Sequence, residues 1–438
     1  MSTGKRGILA ALAAGIAILG TGGCSRSVMN YQIAESIGTV GMYENNAPVE
    51  TPKMQAEREL EEAEAAVEEE RLALLEQAET LAAGYWYEEA IALLSDSDLF
   101  TEEDDRAEAA IEEYQEAQNA LVEYDGDVVH LNFPNLIADT SLAIDGDSYA
   151  STYSQNLITI SEFQGILEQL YENGYILIDI HSLAEESNDG FGDVTLTAAS
   201  LLLPSGKKPL VLSVENLNYA SVRSGDGIAT KLVLDEDGEV AASYVDANGV
   251  TKEGAYDVVP VLEQFIEEHP DFSWKGARGI IGLSGEEGAF GYEVEEDHDE
   301  NWESNAQTVK QIAAKLLEDG WTFATEGYSY SYMNDMTYSQ LEEDIIQWEN
   351  TIGDLVGDCD TLIYPYGSEV EYESEKSAYL TSAGYCYLIG LWASDDYLSV
   401  NSTYLRQTRR SITGYLLENY ASYYESFFNV SEILDSVR

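Results

Sequence analysis

Lys208-Pro-Leu-Val-Leu-Ser-Val-Glu-Asn216 is the stretch on which the reading of this 438-residue chain turns. Residues 210–214 are a nearly unbroken apolar run, the pattern of a strand buried on both faces of a parallel sheet. Two adjacent polar side chains, Glu215 and Asn216, follow at its carboxyl end. α/β barrels build active sites from such side chains at strand carboxyl ends. The same pair would also serve as the cap of the helix or loop that follows.

Strands and helices alternate on either side of this segment, which indicates an α/β domain from Asp127 onward. Strands are expected at 128–133, 175–180, 210–214, 279–283, 321–324, 361–364 and 387–391, with one more near Tyr404. Thr159-Ile-Ser-Glu162 is a capping box opening a helix that carries Phe163, Ile166, Leu167 and Leu170 and stops at Asn173-Gly174. Further helices are expected at 258–267, 306–317, 338–355, 373–383 and 430–437. Segments 230–234 and 240–245, with turns at Asp237-Gly238 and Asn248-Gly249, mark a β-hairpin insertion near 229–250.

Upstream the composition changes. Residues 54–124 are rich in Glu, Ala and Leu at helical spacing and break at Ser95-Asp-Ser-Asp98, which predicts an α-helical hairpin acting as stalk or docking surface. Gly84, Tyr87, Ala90 and Ile91 are spaced as in part of a tetratricopeptide repeat, but one unit makes no solenoid. Residues 24–53 are polar and aperiodic, as in a flexible tether. Residues 1–23 have the anatomy of a secretory signal: Lys5 and Arg6, an apolar stretch over 8–19, then Gly22-Gly23 before Cys24. That ending resembles a bacterial lipobox, although Thr21 stands where leucine is usual. The resemblance implies a lipid on Cys24 and a chain secreted across the cytoplasmic membrane and held on its outer face.

The 21 basic and 82 acidic side chains give a formal net charge of −61, which repels nucleic acid and disfavours anionic wall polymers unless cations bridge. Cys359 and Cys386 fall beside neighbouring strands and suit either a disulfide or two free core thiols.

Three segments in order carry a family resemblance: the strand ending in Glu215-Asn216, then Phe323-Ala-Thr-Glu326-Gly-Tyr-Ser-Tyr330, then Thr361-Leu-Ile-Tyr-Pro365-Tyr366-Gly367. Together with Gly174-Tyr175 and Leu203-Pro-Ser-Gly-Lys-Lys-Pro209, they resemble the polysaccharide deacetylases, the NodB-like carbohydrate esterases. The resemblance implies an irregular (β/α)7-type barrel over 127–438. Active members carry Asp-Asp at the first segment, His-x-x-x-His at the second and Pro-Tyr-Gly at the third. Carried over by position, the resemblance makes Glu215 the catalytic base and Asn216, Glu326 and Tyr330 the metal positions. An amide, a carboxylate and a phenol are a poor zinc set, since the phenol titrates near pKa ~10. The family's late Leu-x-His acid has no counterpart, because no histidine follows His298. The arginine usual two residues before the proline is Ile363.

Tyr328, Pro365, Tyr366, Gly367 and Trp392 are candidate substrate-binding residues at the barrel mouth, their aromatic rings suited equally to sugar stacking and to core packing. Arg406, Arg409 and Arg410 suit pairing with carboxylates or lining the cleft. The acidic run 293–303 reads as a solvated loop. Three readings follow. The first is a catalytically impaired deacetylase-like lipoprotein that binds polysaccharide or peptidoglycan without a cofactor. The second is a deacetylase with an oxygen-rich site, using zinc, magnesium, manganese or calcium. The third is a scaffold acting through the helical hairpin.

Overall fold

A computed structural model describes residues 51–101, 104–188, 194–219, 223–392 and 396–438. The signal segment, Cys24 and the tether up to residue 50 lie outside the described residues. No helix among the described residues is long and apolar enough to cross a membrane.

Strands β1 (Val129–Phe133), β3 (Lys208–Val214), β4 (Ile280–Leu283), β5 (Thr322–Thr325), β6 (Thr361–Ile363), β7 (Tyr387–Leu391) and β8 (Leu405–Ser411) are all parallel and close into a seven-stranded barrel. Closure is made where Ser213 and Val214 of β3 meet Ile280 and Ile281 of β4. A short strand β2 (Tyr175–Leu177) pairs with the first half of the same β3 edge, opposite Lys208, Pro209 and Leu210. β3 is thus shared between two neighbours along one edge, which makes the barrel irregular. This is the (β/α)7 architecture that the resemblance implied.

Residues alternate between faces along each strand. Outward Leu131, Phe133, Leu210, Leu212, Val214, Ile281 and Leu283 join one apolar core with the surrounding helices. The helix Ile160–Glu172 has the expected capping box and buries Phe163, Ile166, Leu167 and Leu170 completely. Burying each such side chain contributes about 1.5–3 kcal/mol. Inward Val211, Ile280, Ala324, Ile363, Tyr387, Ile389 and Leu405 form a second cluster, joined from the base by Ile176, Ile178 and Ile180. Higher in the lumen the inward side chains turn polar.

The upstream region holds three helices, not a two-helix hairpin: α1 (Pro52–Ala83), α2 (Tyr87–Ser95) and α3 (Arg106–Asn119). The first break falls at Gly84-Tyr85, where Tyr85 adopts φ 67° and buries its ring against Trp274, 4.9 Å away. Its hydroxyl donates to the Asp271 carbonyl, so the turn docks the helices on the barrel base. The helical spacing continues across this turn, which hides it in the sequence. α1 starts at Pro52, capped by Thr51, and so takes in the last two residues assigned to the tether.

The insertion is a three-stranded antiparallel sheet, Lys231–Leu234, Val240–Val245 and Thr251–Gly254, one strand more than expected. A hairpin of Ala184–Asn188 and Val194–Ala198, rich in Glu, Ser and Thr, also lay beyond the apolar pattern. The closing helix is only Val430–Ile433, because Arg438 turns inward to pair with Glu162. Cys359 and Cys386 are free thiols.

Candidate active site in the barrel lumen

Above the apolar inward layer, β1 contributes His130 and Asn132, β3 Ser213, and β8 Gln407 and Arg409, all buried. Ser213 Oγ donates to Asn132 Oδ1 at 2.9 Å, so the 2.8 Å contact between His130 Nε2 and the same hydroxyl is donated by the imidazole. His130 Nδ1 is left without a partner. Burial, with the Arg409 charge behind it, depresses the His130 pKa to about 3, partly offset by Gln407. His130 is a neutral lumen histidine.

Glu215 caps this column. Arg409 Nε donates to Glu215 Oε1 at 2.9 Å, and Nη2 donates to the same oxygen. Arg409 Nη1 reaches the carbonyls of Gly390 at 3.1 Å and Ile389 at 3.4 Å on β7. The Arg409 side chain is only 2% exposed and that of Glu215 13%, so this is a buried ion pair. Of the three arginines, Arg406 pairs with Glu369 and Arg410 with Asp396, both outside the lumen.

Glu326 follows β5 and is 1% exposed, with Oε1 unpartnered. Gly282 on β4 makes room for it: a Cβ there would lie 2.9 Å from Glu326 Cδ. Burial, and next the charge of Glu215, raise the Glu326 pKa well above the carboxylate range, while Arg409 pulls it down. One carboxylate is matched by the guanidinium, and burial pushes the other towards its protonated form.

Past Glu326 the chain does not continue as a strand. Gly327 has φ 73° and Tyr330 φ 47°, and the Asp344 carboxylate accepts 3.0 Å bonds from the amides of Tyr328 and Ser329. Tyr328, Tyr330 and Tyr332, which alternate in the sequence, therefore do not share one face. Tyr328 turns away to donate to Glu295 Oε2 at 2.6 Å, which ties the acidic run to the rim. Tyr330 leans on Tyr366, ring centroids 5.1 Å apart, and burial followed by the Glu326 and Glu215 charges raises its phenol pKa. Tyr332 stacks on Tyr366 at 4.5 Å and 19°, and these two rings are 54% and 53% exposed. Tyr366 holds φ 56° within the single helical turn Pro365–Gly367. Gly367 at φ 68° packs where a Cβ would lie 2.5 Å from Leu391 Cβ. Trp392 is half-buried, with Arg410 over its ring at 4.5 Å and Tyr423 edge-on at 4.8 Å.

Asn216 is exposed, at φ 65°, and its side-chain amide makes no hydrogen bond among the described residues. Of the four positions carried over from the family, Glu215, Glu326 and Tyr330 thus share one electrostatic neighbourhood, and Arg409 completes it.

The α/β domain is polysaccharide deacetylase-like: residues 298–388 match the family model described as polysaccharide deacetylase. The match takes in Glu326, Tyr330 and Pro365-Tyr366-Gly367, and stops short of Arg409. Among solved structures, the chain is similar to the Streptococcus pyogenes deacetylase PplD in complex with acetate, at 9% identity and a TM-score of 0.37, over 68% of this chain and 98% of that one. No curated protein matches the chain.

The metal that such a family implies needs donors that deprotonate readily around an open position. Here the donors would be one buried carboxyl and one phenol, Asn216 is exposed and turned out of the group, and Arg409 already pairs with Glu215. These side chains do not fit a zinc centre.

Proposed function

We propose that this protein is a catalytically silent, deacetylase-like glycan-binding protein, lipid-anchored through Cys24 on the outer face of the cytoplasmic membrane. The observation that carries the reading is the buried Arg409–Glu215 pair beside fully buried Glu326. Arg409 supplies the positive charge that an active relative takes from its metal, and it engages the carboxylate that would act as base. A metal-bound water would have neither ligands nor base.

Binding falls to the rim. Tyr332 and Tyr366 present a stacked, half-exposed aromatic pair beside the lumen mouth, a surface suited to the apolar face of a sugar ring. Tyr328 and Trp392 are engaged by Glu295 and Arg410 and contribute less. With a charge of −61 the ligand is a neutral stretch of polysaccharide or peptidoglycan glycan.

The test is retention of the purified secreted chain on isolated cell wall and on neutral glycan beads. Tyr332→Ala and Tyr366→Ala should each weaken binding about fivefold, the equivalent of ~1 kcal/mol per ring. Unchanged retention of both variants, with thermal unfolding intact, would overturn the reading.

A further inference from the structure

The opposite end of the barrel carries a second cluster of chemistry-bearing side chains. Asp360 immediately precedes β6 and Cys386 immediately precedes β7, so adjacent parallel strands place both at their amino ends. The amides of Cys386 and Tyr387 donate to the Asp360 carbonyl at 2.9 and 3.1 Å, fixing the two residues side by side. The chain leaving β2 crosses the barrel base through the single turn Ile180–Leu183, which carries His181, and then enters the strand Ala184–Asn188, which carries Glu186.

We propose that Glu186, Asp360, Cys386 and His181 form a binding site for a divalent ion of the zinc class. A thiol, an imidazole and two carboxylates make the mixed donor set that borderline ions such as zinc and cobalt take in preference to calcium or magnesium. One ligand atom each from Glu186, Asp360 and Cys386 lies within 4.8 Å of the other two. His181 Nε2 is 3.0 Å from Asp360 Oδ1. Nitrogen and oxygen donors ~2.1 Å from a tetrahedral centre stand about 3.4 Å apart, close to this contact, and His181 joins as fourth donor by moving towards Glu186 and Cys386, which form the compact group with Asp360.

The surroundings orient the donors as metal sites do. Asp179 Oδ1 holds His181 Nδ1 at 2.6 Å and aims Nε2 at the cluster, the carboxylate–histidine arrangement typical of ligating histidines. Tyr387 donates its hydroxyl to Glu186 Oε1 at 3.0 Å and packs its ring edge-on to His181 at 4.3 Å, while Thr361 Oγ1 donates to Asp360 Oδ1 at 3.0 Å. Among the described residues no lysine or arginine forms an ion pair with Glu186, Asp360 or Asp179, and His181 pairs with the two aspartates. Exposed Glu186 leaves an entry path from solvent. On binding, the ion displaces the thiol proton and any proton on His181 to solvent, with no change of oxidation state.

The experiment is cobalt(II) and zinc(II) titration of the chelator-treated secreted chain. One cobalt per chain should bind and give a thiolate-to-cobalt charge-transfer band that zinc abolishes. Cys386→Ser should remove the band, and Glu186→Gln and His181→Gln should each weaken affinity by at least about tenfold. Cys359→Ser, whose thiol donates to the Phe323 carbonyl, and Glu326→Gln in the lumen should leave it intact. Absence of stoichiometric cobalt, or a band that survives in Cys386→Ser, would show that His181 is merely the ion-pair partner of its two aspartates. Should Cys386→Ser fail to fold, the exposed Glu186→Gln decides: unchanged affinity overturns the site.

Discussion

Replacing Arg409 with methionine isolates the interaction on which the silent-barrel reading rests. The substitution keeps side-chain volume in the lumen and deletes the guanidinium. It leaves Glu215, 13% exposed, beside buried Glu326, and frees the carbonyls of Ile389 and Gly390. Removing one partner of a buried ion pair costs about 3–5 kcal/mol, because the surviving charge is desolvated and uncompensated. Removing both charges is far milder, since an apolar or neutral pair avoids that desolvation. Arg409→Met should therefore lower unfolding stability by about 3–5 kcal/mol, and adding Glu215→Gln should restore at least about 2 kcal/mol of it. Urea denaturation of the wild type, both single variants and the double variant measures the coupling directly. A loss under about 1 kcal/mol for Arg409→Met, or strictly additive effects, would refute the reasoning.

Other sites give sharp expectations. His130 is buried and neutral, with its pKa depressed to about 3 from an ordinary 6.5, so the unfolded chain binds the extra proton between those values. Its contribution to stability is intact above the ordinary value and is lost as pH falls towards 3, about 3 kcal/mol by pH ~4.5. His130→Gln should flatten that acid limb in denaturation runs across pH, and an unchanged slope would count against a neutral His130. Gly282→Ala drives a Cβ to 2.9 Å from Glu326 Cδ and should destabilise the fold by about 1–3 kcal/mol. In a Glu326→Ala background that penalty should fall below about 1 kcal/mol, measured in the same way. Arg438 donates to both oxygens of fully buried Glu162 at 2.5 and 2.7 Å and to the Leu157 carbonyl. Arg438→Ala should lower the denaturation midpoint by the equivalent of about 3–5 kcal/mol, and an effect near zero would mean the tail is only loosely held.

What the sequence reveals follows from which faces are apolar. β3 and β4 are legible because both faces are buried in hydrocarbon, and the Thr159 capping box is legible because its hydrogen bonds are local. β8 reads Leu-Arg-Gln-Thr-Arg-Arg-Ser and resembles no buried strand, since its inward face carries Gln407 and Arg409 into the polar lumen. The sequence therefore indicates only a strand near Tyr404 and three arginines of undecided role. The positions of Glu215 and Glu326 at strand carboxyl ends are legible. Their partner is not, because Arg409 is 194 residues away from Glu215 and is brought to it by barrel closure alone. Tyr328, Tyr330 and Tyr332 alternate in the sequence as on a strand, but Gly327 and Tyr330 take left-handed backbone angles under the Asp344 cap. Glu162 shows one of its two roles in the sequence, as the third residue of a capping box, and hides the other with Arg438.

The central claim is that the lumen of this deacetylase-like barrel holds an arginine–carboxylate cluster in place of a catalytic metal. The most direct test is acetate release from N- and O-acetylated oligosaccharides and acetylated cell-wall glycan, with zinc, cobalt, manganese or magnesium added. The account predicts release at the no-enzyme rate for wild type and for Glu215→Gln alike. Metal-dependent release that Glu215→Gln abolishes would contradict it.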